Sequence, residues 1–253
     1  MATPAISIHD AGLRPLPPLL DDIPIVYEDE DEDDMGESNP HTVIDDILRN
    51  GVRAHVGRRP GYRVFSNMNL YYRKKPLHRR TRSRPYVSPD MMIVAPCRDL
   101  GDNVSSYTIG EDGPAPVTTA EILSERSAQQ RDKAEKLVIY AKLGVLEYIM
   151  VDWSGRWLPE RLLLKRLQLD RRWQDEQDPD GGVTSQLGFR LIWDTDGWLR
   201  VLNAVTAEKY PRPEEAYTEL RARREAEERV RALEAEIARL RIKGKPSQRR
   251  KKK

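Results

Sequence analysis

A short apolar strand that runs into a helix, with charged side chains at set positions, constrains this chain most. Residues Val117–Leu123 are rich in β-branched and apolar types, which favours a strand on which Glu121 and Leu123 share one face. In the helix that follows, Lys136 and Tyr140 are four residues apart and therefore lie on one side of it. The sequence thus predicts a carboxylate on a strand beside an ammonium on a helix.

A second carboxylate, Asp90, directly precedes another apolar strand, Met91–Ala95. If the two strands are neighbours, Asp90, Glu121 and Lys136 could converge where the strands end. Hydrolysis of a phosphodiester needs a hard cation such as Mg²⁺ or Mn²⁺, which takes one or two carboxylates and waters as ligands. A nearby ammonium can orient the attacking water and stabilise the developing negative charge. The pattern therefore predicts a metal-dependent phosphodiesterase site.

The candidate residues fall into three roles. The catalytic set is Asp90, Glu121 and Lys136, and the metal ligands are Asp90, Glu121 and the backbone carbonyl of Ile122. Supporting roles go to Ser124, Asp132 and Tyr140.

Simpler interpretations of these residues stay open. Asp132 and Lys136 form an i, i+4 pair in the favourable acid-first order, so Lys136 could be half of a surface ion pair. Tyr140 fits a core position better than a catalytic one. The insert from Cys97 to Pro116 adds other carboxylates that could serve as ligands, namely Asp99, Asp102, Glu111 and Asp112.

Several motifs occur together and in order. They are Glu121-x-x-Ser124, Asp132-x-x-x-Lys136-x-x-x-Tyr140, Gly144-Val145-x-Glu147-Tyr148 and Val151-Asp152. This set resembles the Uma-two family of putative restriction endonucleases, a branch of the PD-(D/E)XK nuclease superfamily. In the superfamily's usual pattern the lysine sits two residues after the acidic residue, where this chain has Leu123, so the resemblance implies that Lys136 takes over its role.

The resemblance extends over roughly residues 35 to 212. Met35–His41 resembles the start of the family's first helix, and Ser185–Leu191 with Asp196–Arg200 resembles its C-terminal hairpin region. The resemblance implies an α/β fold of the PD-(D/E)XK restriction-endonuclease-like kind, a mixed sheet flanked by helices, in a nuclease domain over 39–212. It also implies Mg²⁺-dependent or Mn²⁺-dependent endonuclease activity on DNA.

Charge is distributed unevenly along the chain. Residues 1 to 39 hold eleven acidic residues and one arginine, which gives this segment a charge of −10. Because the whole chain has a net charge of +2, the remaining residues carry a charge of +12. The acidic segment 1–38 is predicted to be disordered because it cannot bury enough apolar surface. Upstream of Asp90, a basic stretch interleaved with tyrosines predicts contact with nucleic-acid phosphates, although a solvated surface is the simpler alternative. The residues assigned to that contact are Arg73, Lys74, Lys75, Arg79, Arg80, Arg82 and Arg84.

Periodicity predicts the remaining elements. A helix is expected over His41–Arg53 with Gly51 as its stop, and a strand over Tyr62–Tyr72. Ser127 is predicted to be the N-cap of the helix that carries Lys136. Further strands are expected at Leu146–Val151, Leu162–Leu169, Gly188–Trp193 and Trp198–Leu202.

The last forty residues have a different pattern. Apolar residues at 4-3-4-3 spacing within a field of Glu and Arg predict a helix over 213–242, either a parallel two-stranded coiled coil or one helix folded back on the domain. The apolar positions are Ala226, Val230, Leu233, Ile237 and Leu240. A coiled coil would make the protein a homodimer. Residues 243–253 form a basic tail.

Composition bears on the cellular compartment expected for the protein. No run of about 18 apolar residues exists and the first ten residues lack the pattern of a signal peptide, so no membrane association is expected. A single cysteine, Cys97, fits a reducing, cytoplasmic environment. Two rival functions stay open, a catalytically silent nucleic-acid-binding module of the same fold and an oligomeric adaptor that acts through the C-terminal helix.

Overall fold

The computed structural model describes residues 13–20, 23, 39–57, 59–72, 84–101, 103–124 and 130–243, leaving out the side chains of 130–133, 238 and 240–243. In chain order the elements are α1 (Asn39–Val56), β1 (Arg63–Ser66), β2 (Asn69–Tyr71), β3 (Tyr86–Val87), β4 (Met91–Val94), β5 (Ser106–Thr108), β6 (Thr118–Ile122), α2 (Gln130–Leu143), β7 (Glu147–Val151), β8 (Leu162–Leu167), β9 (Trp173–Glu176), β10 (Val183–Thr184), β11 (Phe189–Trp193), β12 (Leu199–Asn203) and α3 (Pro213–Lys243). The chain divides into two compact units, Met1–Tyr210 and Pro211–Lys253.

A six-stranded mixed sheet in the order β1-β4-β6-β7-β8-β9 forms the centre of the first unit. Strands β6 and β7 are parallel, and every other neighbouring pair in this sheet is antiparallel. The parallel pair is joined through α2, which is the crossover that parallel neighbours require. The mixed α/β architecture predicted for the chain is confirmed.

Two small sheets accompany the central one. An antiparallel sheet has the order β10-β11-β12, and a second sheet has the order β3-β2-β5 with β2 and β5 parallel. The strands predicted around Met91, Val117, Leu146, Gly188 and Trp198 are confirmed within one or two residues at their ends.

Both faces of the central sheet are covered, and three of its four inner strands are buried throughout. Strands β4, β6 and β7 have every residue buried, which explains why β4 is a continuous apolar run and why β6 and β7 are mostly apolar or β-branched. On one face the core includes Ile44, Leu48 and Val52 of α1 together with Phe189, Leu191 and Val201 of the small antiparallel sheet. On the other face it includes Ile139, Tyr140 and Leu143 of α2 with Leu70, Val87 and Tyr107 of the other small sheet.

Two boundaries differ from the sequence predictions. Helix α1 continues through Gly51 to Val56. Gly51 is buried against β12, where an added Cβ would collide with the side chain of Val201. This glycine allows α1 to approach β12 and does not end the helix. The strand predicted over Tyr62–Tyr72 is two strands in two sheets, separated at Asn67, whose φ is +49°.

Other differences concern short elements. The predicted strand at Leu162 ends at Leu167, and the segment expected to be a loop between Cys97 and Pro116 contains β5. Strand β9 was not predicted, since its sequence Trp-Gln-Asp-Glu is polar and lies at the edge of the sheet.

Residues 13–20 belong to the segment predicted to be disordered, yet they have backbone partners. The N–H of Leu16 donates to Gly144 O at 2.9 Å, and the N–H of Leu19 donates to Lys142 O at 2.8 Å. Gly144, with φ of +80°, leaves room for this contact, since a Cβ there would lie 2.1 Å from Leu16 O. Carbonyls at the end of α2 thus order a stretch whose composition alone does not favour order.

The second unit contains the predicted C-terminal helix, α3. Its apolar residues Val230, Leu233 and Ile237 are 53%, 58% and 48% exposed, while the side chain of Leu240 lies outside the described residues. Among the helices that the structure describes, none combines the length and apolar character needed to cross a bilayer.

Candidate active site at the end of the central sheet

Glu121 is the centre of the site. It lies on β6, between the buried Ala120 and Ile122, and only 3% of it is exposed. Alternation along the strand turns it toward the face covered by α2. There the hydroxyl of Tyr140 donates to Glu121 Oε1 at 2.8 Å, and Lys136 Nζ lies 3.3 Å from Oε2. The predicted meeting of Glu121, Lys136 and Tyr140 is therefore present.

The environment of Glu121 changes its acidity. Burial raises its pKa from 4.5 to about 8; the charge of Lys136 lowers it, the neighbouring Asp90 raises it, and the Tyr140 hydrogen bond lowers it. Burial and the adjacent carboxylate likewise raise the pKa of Tyr140 well above its ordinary value, so its hydroxyl stays a donor. The result is a carboxyl group whose charge is only partly compensated by protein groups.

Asp90 enters the site from the neighbouring strand. It precedes β4, which pairs with β6 so that Met91 lies opposite Ala120, and the continued register places Asp90 beside Glu121. Its Oδ2 accepts the backbone N–H of Ile122 at 2.5 Å. Ile122 was predicted to offer its carbonyl to a metal, and the interaction observed is this N–H bond to Asp90.

Helix α1 contributes two polar residues that were not predicted as site residues. His41 Nε2 lies 3.8 Å from Asp90 Oδ2. Asp45, one turn later, is 5% exposed, and within the described residues its buried Oδ1 has no hydrogen-bond partner. Burial raises the pKa of Asp45 to about 6, with Arg49 lowering it and Asp90 raising it.

A sequence signal for Asp45 existed. It lies next to Ile44 and three residues before Leu48, both fully buried, so an acidic residue interrupts the apolar stripe of the helix. Charged residues are rarely buried unless they are paired or functional. His41 was recognised only as part of a motif at the start of the helix.

The donor set fits a hard cation. Asp90 and Glu121 supply carboxylate oxygens, and one or two carboxylates with waters or carbonyls are what Mg²⁺ usually takes. Within the described ranges, no group of three or more His, Cys, Asp or Glu side chains is arranged to hold a metal ion. A cation here would thus rely on the two carboxylates, the Ile122 carbonyl and water.

Two carboxylates of the long insert have local partners, and Asp102 lies outside the described residues. Asp112 Oδ2 accepts the N–H of Thr108 at 2.7 Å, and Asp99 lies 3.7 Å from Arg63 Nη1. Neither contact involves Asp90 or Glu121.

The other predicted residues are placed as follows. Ser124 is half-buried and follows the end of the strand of Glu121 by two residues. Arg84 lies 4.2 Å over the ring of Tyr71. Outside the described residues lie Arg73, Lys74, Lys75, Arg79, Arg80, Arg82, Ser127 and the side chain of Asp132.

Comparison with known proteins assigns the chain to a family. A family described as "Putative restriction endonuclease", Uma2, matches residues 32–197. A crystal structure titled as a putative nuclease belonging to DUF820 from Anabaena variabilis is 16% identical over 59% of this chain and 73% of that chain, with a TM-score of 0.43. No curated protein matches the chain. Because the family match covers well over half of the sequence, the chain belongs to the Uma2 family of restriction-endonuclease-like, and so nuclease-like, proteins.

Proposed function

We propose that this protein is a Mg²⁺-dependent or Mn²⁺-dependent endonuclease that hydrolyses phosphodiester bonds in DNA. The observation that supports this best is the convergence of Glu121, Lys136 and Asp90 at the end of two paired strands. Family membership supports the same class of reaction.

Asp90, Glu121 and the carbonyl of Ile122 would hold the cation. When bound, the cation supplies a Lewis acid that lowers the pKa of water and neutralises phosphoryl oxygens. Tyr140 keeps Glu121 oriented through its hydrogen bond. Supporting roles are assigned to Ser124 and Asp132. The raised pKa of Glu121 favours this assignment because a cation would compensate the buried charge that the protein leaves partly uncompensated.

Lys136 would orient the attacking water and stabilise negative charge on the phosphoryl group. Its side chain is 12% exposed and its ammonium is within 3.3 Å of Glu121. Because Lys136 is largely buried, it does not fit a role limited to a surface ion pair with Asp132. A lysine on a helix therefore serves where the superfamily usually uses one on the strand.

The decisive experiment is a cleavage assay on plasmid and single-stranded DNA with Mg²⁺ or Mn²⁺. The wild type should cleave, and Glu121→Ala should not. Glu160→Gln removes a carboxylate at an exposed position and is the control for Glu121→Ala. Lys142→Met removes another lysine of α2 and is the control for Lys136→Met. Equal cleavage by wild type and Glu121→Ala would refute the assignment.

Two rival functions have distinct outcomes in the same assays. A catalytically silent DNA-binding module would bind DNA, through Arg84 and the basic stretch before it, without cleaving in any metal. An adaptor or homodimer would use the exposed apolar residues Val230, Leu233 and Ile237 of α3. Leu233→Glu should then turn a dimer into a monomer in sedimentation experiments, and an adaptor would show self-association without affinity for DNA.

A further inference from the structure

A cleft of about 590 Å³ lies along α1, beside β1 and the loop that follows Cys97. Three arginines line it, Arg49, Arg53 and Arg63, together with Tyr62 and Ser66. No acidic residue lines it within the described part of the chain. We call it the arginine cleft.

Several contacts hold the guanidinium groups of the cleft. Arg49 pairs with Asp46, and its buried Nε has no hydrogen-bond partner among the described residues. Arg53 Nη2 donates to the carbonyl of Val64 at 3.3 Å. Burial, and then the charges of Arg49 and Arg63, lower the pKa of Arg53, while the charge of Asp45 raises it.

Arg63 Nη2 donates to Gly101 O at 2.7 Å, and its Nη1 lies 3.7 Å from Asp99, whose side chain is 88% exposed. An exposed acidic partner gives little compensation because water and salt screen it. Together the three arginines place three guanidinium groups along one partly dehydrated groove. Guanidinium groups in such a setting bind phosphate strongly and with defined geometry.

Helix α1 and strand β1, which border the arginine cleft, also lead to the candidate active site. His41, Asp45, Arg49 and Arg53 follow one another at four-residue steps on α1, so they run along one side of the helix at about 6 Å per step. The first of these residues lies 3.8 Å from Asp90. On the strand side, Ser66 pairs with Met91, and the N–H of Asn67 donates to Asp90 O at 3.0 Å.

We propose that the arginine cleft binds the phosphates of an unpaired DNA strand next to the bond that is cleaved. This inference rests on the proposed nuclease function and specifies its substrate as a strand with one or two unpaired nucleotides, such as a flap or a frayed end. A cleft of this volume is the size of a small-molecule site, too small for a duplex. The half-buried ring of Tyr62 offers a surface on which a base can stack.

The test measures DNA binding without cleavage. Fluorescence anisotropy in EDTA would compare a labelled single-stranded 12-mer with the matching blunt duplex, for the wild type and for the double variant Arg49→Gln/Arg53→Gln. We expect the variant to bind the single strand about tenfold more weakly. The slope of log K against log salt should flatten by about 1.4, or about 0.7 for each phosphate that an arginine no longer neutralises. The decrease in affinity for the duplex should be much smaller.

Controls separate a local effect from unfolding. Arg172→Gln removes an exposed arginine elsewhere and should bind as the wild type does. Arg53→Lys retains a charge at the cleft and should recover part of the affinity. Equal affinity of the double variant and the wild type, or an equal decrease for single strand and duplex, would overturn the proposal.

Failure of this inference is distinguishable from failure of the proposed function. If the wild type cleaves DNA but the cleft variants bind and cleave as it does, the cleft assignment alone is wrong. If the cleft variants lose affinity while no metal supports cleavage, the hydrolytic function is wrong and the strand-binding cleft stands.

Discussion

Two glutamates on neighbouring parallel strands differ in how many hydrogen-bond donors surround them. Glu121 on β6 and Glu147 on β7 are both almost completely buried, at 3% and 1% exposed. Glu147 accepts hydrogen bonds from Arg166 at 2.6 Å, Gln186 N at 2.7 Å, Ser185 at 2.5 Å and Thr118 at 3.1 Å. Glu121 has the hydroxyl of Tyr140 and the more distant ammonium of Lys136.

The difference separates a structural carboxylate from one available for chemistry. Donors from a strand, an arginine and the Ser185–Gln186 turn surround Glu147, so it joins the central sheet to the C-terminal hairpin region. A buried charge that lacks such compensation is costly unless it is protonated or a cation arrives. Family-like motifs contain both residues, and only the surrounding donors distinguish their roles.

The largest effect expected is on cleavage by Glu121→Gln. Loss of one of the two carboxylates should reduce the cleavage rate by about 1,000-fold, or about 4 kcal/mol of transition-state stabilisation. The unfolding free energy at pH 8 should stay within about 1 kcal/mol of the wild type or rise, because a buried charge is removed. Plasmid cleavage and urea denaturation measure the two effects, and a large loss of stability would erase the contrast with Glu147.

Glu147→Ala should show the reverse pattern. Its removal leaves Arg166, itself 15% exposed, without one of its two carboxylates, and breaking a buried pair costs about 3 to 5 kcal/mol. Urea denaturation should report this loss. Cleavage per folded molecule, measured below the denaturation midpoint, should change only a few-fold. Unaltered stability would mean that Glu176 alone satisfies Arg166.

Lys136→Met should separate turnover from metal binding. Loss of a positioned cationic donor should slow cleavage by about 100-fold to 1,000-fold, while Asp90 and Glu121 still hold the ion. Calorimetric titration with Mn²⁺ should therefore give an affinity close to that of the wild type. Loss of Mn²⁺ binding along with activity would contradict the assigned role.

A further effect is expected on the pH dependence of stability. The folded-state pKa of Glu121, about 8, lies above its ordinary value of 4.5, so the folded state binds this proton more tightly than the unfolded chain. Its contribution to stability is therefore full below about pH 4.5 and is lost as pH rises to about 8, by at most about 1.4 kcal/mol per pH unit. Urea denaturation in EDTA should show this slope in the difference between the unfolding free energies of the wild type and Glu121→Gln. A difference that does not vary with pH would show that folding leaves the pKa of Glu121 unchanged.

Much of the site could be predicted from local patterns. The four-residue step from Lys136 to Tyr140 and the strand that carries Glu121 follow from periodicity, which depends only on neighbouring residues. Asp90 was predicted from its place before an apolar run together with the family resemblance. The structure places Glu121 with Lys136 and Tyr140 and puts Asp90 on the adjacent strand.

Tertiary packing alone decided the rest. Gly51 looked like a helix stop, but its contact with Val201, 150 residues away in sequence, lets α1 lie against β12. That packing brings His41 to Asp90 and turns Asp45, Arg49 and Arg53 toward the central sheet and the cleft. The sequence by itself determined the main helices and strands around the site and the side chains that they display, because propensity and periodicity act over a few residues. Strand pairing and helix docking between distant segments decided which of these side chains meet. They also decided that Glu147 is surrounded by hydrogen-bond donors and that Glu121 has fewer of them.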